Sequence, residues 1–156
     1  MIDKTFGEID YEYGWKGSYA YSIFGKDHAV TLVVPCDEGE EIEPAQREAF
    51  VRFEQAKDSL TSAAARAILD HYQDIAEEVR ERVGPAAAAD VAPVITSVDE
   101  LARIVSPTEF LVQQSFGSGE RIIGLLFDCS WDPSLGLAVK FEDEQVVEVG
   151  NQDIVL

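Results

Sequence analysis

The sequence predicts an α+β domain in which one helical segment separates two groups of β-strands. From Phe6 to Cys36, and again after Pro107, aromatic and β-branched residues alternate with polar ones, which is the period-2 pattern of half-buried strands. Between these regions, residues 44–83 carry apolar side chains at helical spacing. Strands and helices do not alternate, and no Gly-rich loop follows a strand, which argues against a doubly wound nucleotide-binding fold.

The N-terminal strands are predicted to form an antiparallel β meander over residues 11–15, 19–23 and 30–34. The segment Gly25–His28 has the composition of the turn between the second and third strands. Pro35 ends the third strand, because proline cannot donate a hydrogen bond to a strand ladder.

The central segment is predicted to be one long helix or two shorter ones. Pro44 suits a first helical turn, and Gly84–Pro85 ends the periodic pattern. The span is long for one globular helix, and Asp58–Ser59 can cap a second helix. We therefore expect a break within residues 57–61.

A low-complexity stretch, residues 84–93, follows the helical segment and is interpreted as a surface connection. Ser97 and Glu100 then fit a capping box, which predicts a short helix over residues 98–105.

The C-terminal strands are predicted to form an antiparallel sheet, with the helices covering one face. Short strands joined by tight turns are expected at 110–114, 121–128, 136–141, 146–149 and 154–156. In WDPSLG, Asp132, Pro133 and Gly136 favour a turn, and we expect Trp131 to pack across that corner against a strand or a helix. The chain is interpreted as one domain, residues 1–156.

Net charge is the most informative number in the composition. Thirty acidic against twelve basic residues give −18. Such a charge repels nucleic acid and anionic membranes and attracts basic surfaces, although solubility or an acidic proteome would account for it as well. The chain contains no apolar stretch long enough for a membrane span, and its acidic N-terminus does not resemble a signal peptide. We expect a cytoplasmic protein.

Nucleophilic and zinc chemistry have few candidate residues. Cys36 and Cys129 both end apolar runs and are interpreted as buried free thiols, with a disulfide as the alternative. The chain has no CxxC pair, which disfavours a zinc site. Of the two histidines, His28 is expected in a turn and His71 in the middle of a helix, away in sequence from any nucleophile.

Paired carboxylates carry little information in so acidic a chain. Asp128 and Asp132 could converge at a strand end, as hydrolases require. The run Asp37–Glu43 could hold Ca²⁺ or Mg²⁺ weakly, but it lacks the residue order of an EF-hand. We expect a solvated loop there, with no metal and no cofactor.

The C-terminal pattern W-D-x-x-x-G-L-x-V-x-F, followed by an acidic turn and V-V-E-V-G-x-x-D, spans residues 131–153. It resembles the signature of a family of small uncharacterised bacterial proteins, known as a domain of unknown function. The resemblance implies a connection with toxin–immunity gene neighbourhoods, and it implies no catalytic residue.

These observations favour an acidic, non-enzymatic binding protein, such as an immunity-type inhibitor of a basic toxin or another basic partner. Two groups of acids are the candidate contacts, and two tryptophans are the candidate anchors, since Trp is enriched at interface hot spots. The predicted binding residues are Asp37, Glu38, Glu40, Glu41, Trp15, Trp131, Asp132, Glu142, Asp143 and Glu144.

Two alternatives stay open at this point. A small hydrolase or metal-dependent enzyme would use clustered carboxylates, with Asp132 as its best candidate residue. An oligomerising structural domain would associate through the aromatic N-terminal strands or a helix face.

Overall fold

A seven-stranded sheet with helices on one face organises the chain, and the computed structural model describes residues 1–156. The strands are β1 (Ile2–Asp3), β2 (Gly7–Glu8), β3 (Asp10–Tyr11), β4 (Trp15–Ile23), β5 (Lys26–Val34), β6 (Val105–Gln113), β7 (Ile122–Cys129), β8 (Leu137–Glu142) and β9 (Gln145–Gly150). The helices are α1 (Pro44–Gln55), α2 (Lys57–Val83) and α3 (Pro85–Val91), with 3₁₀ turns at Asp99–Arg103 and Gln152–Ile154. The predicted α+β class is confirmed.

Strand order in the main sheet follows the sequence from β3 to β9, and β1 pairs only with β2. Every neighbouring pair is antiparallel except β5 and β6, which run parallel with Thr31 opposite Glu109. This one parallel pairing joins the N-terminal and C-terminal strands into a single sheet. The helices form the long crossover that a parallel connection requires.

The β4–β5 turn lies earlier than the sequence predicted. Phe24 and Gly25 form it, with φ angles of 56° and 73°, so the prediction of Gly25–His28 was wrong. Two left-handed residues match the twist of a two-residue hairpin. His28 therefore lies within β5 rather than in a turn. The predicted strand 11–15 is also interrupted, by a turn around Tyr13 and Gly14.

The helical segment divides at Ala56, one residue before the predicted window. Residues 85–91 form α3 rather than a plain connection, because four consecutive alanines favour a helix once Gly84 reverses the chain at φ 82°. The short helix predicted at 98–105 is a 3₁₀ helix. The predicted strand 154–156 was wrong, since the chain there follows a 3₁₀ turn onto the sheet.

The core lies between the sheet and α1 and α2. Its fully buried large side chains include Phe53 and Tyr72 from the helices and Phe110, Phe127 and Phe141 from the strands. A smaller cluster on the opposite face is formed by Leu111, Leu126, Ala138 and Val155. The C-terminal segment thus covers part of the second face. None of the helices combines the length and apolar character that a membrane span needs.

The WDPSLG corner is a turn, as predicted. Asp132 Oδ1 accepts a hydrogen bond from the Leu135 amide at 3.0 Å. Gly136 has φ +64°, and a Cβ there would stand 2.7 Å from the Phe127 carbonyl oxygen, so the corner requires glycine. The Trp131 ring packs 5.2 Å from the ring of Tyr72 on α2.

Both cysteines are buried free thiols, as predicted. Cys36 follows the C-terminal end of β5, whereas Cys129 pairs with Val105 at the start of β6. Because β5 and β6 are parallel, the length of a strand separates the two cysteines, about nine residues or roughly 30 Å at 3.3 Å per residue. That separation excludes a disulfide between them.

An ion pair fastens the N-terminal segment to α1. Arg47 donates to both carboxylate oxygens of Asp3, at 2.8 and 3.0 Å, and the Thr5 and Phe6 amides donate to the same carboxylate. The hydrogen bond from Arg47 is the main reason that the pKa of Asp3 falls from 3.8 to about 2. Asp3 is nearly buried, so solvent screens this pair only weakly.

We predict that Asp3→Asn lowers the free energy of unfolding by about 2 kcal/mol at pH 7. A depressed folded-state pKa stabilises the fold above pH 4, and this contribution is lost as pH falls through about 2. Urea titrations between pH 6 and pH 2.5 measure it. Asp10→Asn, an exposed carboxylate near the N-terminal amine, is the control and should cost little. Equal losses for the two variants would contradict the prediction.

Gln46 ties α1 to the parallel strand pair. Its side-chain amide donates to the Pro35 carbonyl at 2.8 Å and to the Val112 carbonyl at 3.0 Å, and its oxygen accepts from the Glu43 amide at 3.0 Å. Gln46 is 1% exposed, so its own side-chain amide has no access to water.

We predict that Gln46→Ala costs about 3 kcal/mol of unfolding free energy, because it leaves the buried Val112 carbonyl, the half-buried Pro35 carbonyl and the half-buried Glu43 amide without partners. Chemical denaturation measures the loss. Gln73→Ala is the matched control on α2: Gln73 is exposed and donates one hydrogen bond, to the Ile95 carbonyl, so about 1 kcal/mol or less is expected. If Gln46→Ala lowers the unfolding free energy no more than Gln73→Ala does, the prediction that Gln46 ties α1 to the strands is wrong.

Candidate functional site

One end of the sheet gathers four connections, which we call the loop end. The register places Trp15 opposite Val34, and Gln113 and Glu142 opposite Ile122. The connections that leave these strand ends must therefore lie side by side. They are the β3–β4 turn (residues 12–14), the β5–α1 segment (35–43), the β6–β7 loop (114–121) and the β8–β9 turn (143–144).

The acidic loop, Asp37–Glu41, projects from the middle of this end. Asp37, Glu38, Glu40 and Glu41 are all exposed, and none of them forms an ion pair. Next to them the pKa of the Cys36 thiol is raised, first by burial and then by these neighbouring carboxylates. The loop thus presents four carboxylates without ion pairs to solvent, and Arg47 is close enough to interact electrostatically with Glu41.

The base of the acidic loop is held firmly. Glu43 Oε2 accepts hydrogen bonds from the Ser115 amide at 2.9 Å and from its hydroxyl at 2.8 Å. The Tyr11 hydroxyl donates to the Cys36 carbonyl at 2.9 Å. With Gln46 bound to Pro35, these contacts connect the loop to both of its neighbours.

The second predicted acidic group is largely neutralised. Glu144 accepts two hydrogen bonds from the guanidinium of Arg121, at 2.8 and 3.0 Å, and Asp143 lies 3.5 Å from the same group. Glu142 pairs with Lys140 at 3.2 Å. These three acids lie at the loop end, but they leave less free charge than the acidic loop does.

The predicted aromatic anchors are not exposed. Trp15 is half-buried at the loop end, with its ring 5.2 Å from the ring of Tyr11. Trp131 is 8% exposed and lies with Asp132 at the opposite end of the sheet. The structure therefore places Trp15 next to the acidic loop and at the same end of the sheet as the second acidic group, but separates Trp131 and Asp132 from them.

Two aromatic residues that the sequence analysis did not select are exposed at the loop end. Tyr13 is 98% exposed in the β3–β4 turn, and Phe116 is 77% exposed in the β6–β7 loop. Each precedes a glycine and adopts a left-handed backbone, with φ of 55° and 54°. The aromatic-Gly pairs were the available signal, but Tyr13 had been assigned to a strand on its alternation.

The candidate catalytic residues are dispersed over the fold. His28 lies in β5 with its Nε2 buried and without a hydrogen-bond partner, and His71 lies on α2, where burial lowers its pKa. Burial also raises the pKa of Cys129 to about 11, which disfavours the nucleophilic thiolate. No group of three or more His, Cys, Asp or Glu side chains is placed to hold a metal ion.

Comparison with known proteins gives one match. The family model described as "Domain of unknown function (DUF6985)" matches residues 5–156, including the N-terminal meander and α3. No curated protein and no solved structure matches the chain. Because the match covers nearly the whole sequence, the chain belongs to the DUF6985 family.

Proposed function

We propose that this protein is a non-enzymatic binding protein that recognises a basic partner protein through its loop end. In the most specific form of this proposal, it is a bacterial, cytoplasmic, immunity-type inhibitor of a basic toxin. The observation that carries the proposal is the acidic loop, whose four carboxylates are exposed and unpaired on a fixed base.

Electrostatics favours this end of the molecule over the rest of the acidic surface. Long-range attraction to a −18 protein accelerates the approach of any cation, but specific binding needs charges that are held in place. The acidic loop meets that need, because hydrogen bonds fix both of its flanks. Glu142, Asp143 and Glu144 would contribute at its side, with Arg121 partly offsetting them.

The enzyme alternative loses support from the geometry of its best candidate. The Asp132 carboxylate accepts a hydrogen bond within its own turn, which is the role expected of a structural aspartate. The oligomer alternative also weakens, since Tyr19 and Tyr21 of the N-terminal strands are buried in the core. A binding function, in contrast, would use the exposed carboxylates of the acidic loop directly.

We predict that neutralising the acidic loop abolishes capture of a basic partner. The loop-neutral variant carries Asp37→Asn, Glu38→Gln, Glu40→Gln and Glu41→Gln. Pull-downs from a lysate of the source cells at about 50 mM salt, with identification of the captured proteins, measure the effect. Wild-type protein should retain a basic protein at this salt concentration. Salt at 0.5 M should weaken that binding or release the partner, since screening shortens the range of attraction between charges to about 4 Å.

The matched control removes the same charge from another exposed surface. An α2-neutral variant carries Asp74→Asn, Glu77→Gln, Glu78→Gln and Glu81→Gln, four exposed acids without ion pairs. It should bind like wild type, while the loop-neutral variant should lose at least about tenfold in affinity. Capture of no basic protein, or equal losses in both variants, would refute the proposal.

A further inference from the structure

Two exposed aromatic rings at the loop end have no role in the fold. Tyr13 and Phe116 are the most exposed aromatic side chains in the protein, at 98% and 77%. Neither has an aromatic partner or a hydrogen bond through its side chain. Their removal would uncover no core.

The backbone at both positions does not favour an aromatic residue either. Left-handed φ values suit glycine best and asparagine or aspartate next, because a bulky side chain crowds the neighbouring carbonyl. Glycine follows each ring, as Gly14 and Gly117. The turns would thus form more easily with small residues, and stability does not explain the two rings.

The rings stand on either side of the acidic loop. Tyr13 lies between β3 and β4, and Phe116 lies between β6 and β7, so three strand spacings, about 14 Å, separate their attachment points. The acidic loop leaves the sheet at β5, between them. The two aromatic residues and the four unpaired carboxylates thus belong to connections that leave the sheet from neighbouring strand ends.

We infer that Tyr13 and Phe116 receive arginine side chains from a basic segment of the partner protein. Planar guanidinium groups stack on aromatic faces and bind carboxylates through two hydrogen bonds, whereas the lysine ammonium is a strongly hydrated point charge. A ring beside a carboxylate therefore selects arginine over lysine. The inference rests on the proposed function and specifies the chemistry that its binding end recognises.

Other occupants of this surface fit the charge less well. A second copy of the chain would bring another −18 towards the same carboxylates. An anionic membrane would be repelled in the same way, although exposed aromatic residues often mark membrane contacts. Charge complementarity thus points to a cationic segment.

The test compares two fluorescein-labelled peptides of equal charge, eight arginines and eight lysines, by fluorescence anisotropy at about 50 mM salt. Wild-type protein should bind the arginine peptide about five- to thirtyfold more tightly, the range expected for two exposed cation–π contacts. In the double variant Tyr13→Asn, Phe116→Asn, this preference should disappear while binding of the lysine peptide stays the same. Asparagine is chosen because it tolerates the left-handed backbone.

A control variant, Val94→Ser with Leu135→Ser, removes two other exposed apolar side chains and should keep the arginine preference. The Tm of the asparagine variant should equal or exceed that of wild type, because the strained aromatic residues are gone. A lower Tm would show that the rings are structural and would overturn the inference.

The remaining outcomes separate the two proposals. If both peptides bind wild-type protein equally, the arginine inference fails while the basic-partner proposal stands. If neither peptide binds, both fail. Light scattering could instead show that wild-type protein is a dimer and that the asparagine variant is a monomer. The rings would then bind a second copy of the chain, which would overturn the inference.

Discussion

The parallel pairing of β5 with β6 is the constraint on which the rest of the structure depends. It merges an N-terminal hairpin and a C-terminal meander into one sheet and requires the intervening helices to cross its face. It also places the ends of β5 and β6 together, so the acidic loop emerges beside the β6–β7 loop. Gln46 binds both strand ends at that point, and burial of its amide makes the connection costly to break.

The few cationic side chains of this acidic protein serve largely to hold it together. Arg47 fixes the N-terminus, Arg80 donates to the Ala92 and Pro93 carbonyls, Arg82 donates to the Trp131 carbonyl, and Arg121 binds the β8–β9 turn. Arginines engaged in this way cannot neutralise distant carboxylates. The acidic loop concentrates four unpaired carboxylates at the loop end.

Local patterns predicted most of the elements, because alternation and helical spacing depend on neighbouring residues. The two strand groups, the break near Ala56, the WDPSLG corner and the buried thiols were all readable from the sequence. The parallel pairing of β5 with β6 could not be predicted, since two strands that pair across a long crossover leave no local pattern in the sequence. The site was only half predictable for a similar reason: the acids of residues 37–41 were recognisable, whereas the exposure of Tyr13 and Phe116 depends on tertiary packing.

The loop end is both exposed to solvent and held in place, two properties that normally oppose each other. Exposed connections are usually mobile, and ordering them on binding costs free energy. Here Glu43 joins the acidic loop to Ser115, and the Tyr11 hydroxyl joins it to the end of β3, so a large part of that ordering takes place during folding. A surface organised in advance can keep its charges and rings uncovered and still offer a partner a defined shape. Exposed aromatic residues and unpaired acids contribute nothing to folding. The sheet beneath them is stable enough to hold them, because its core uses none of these side chains.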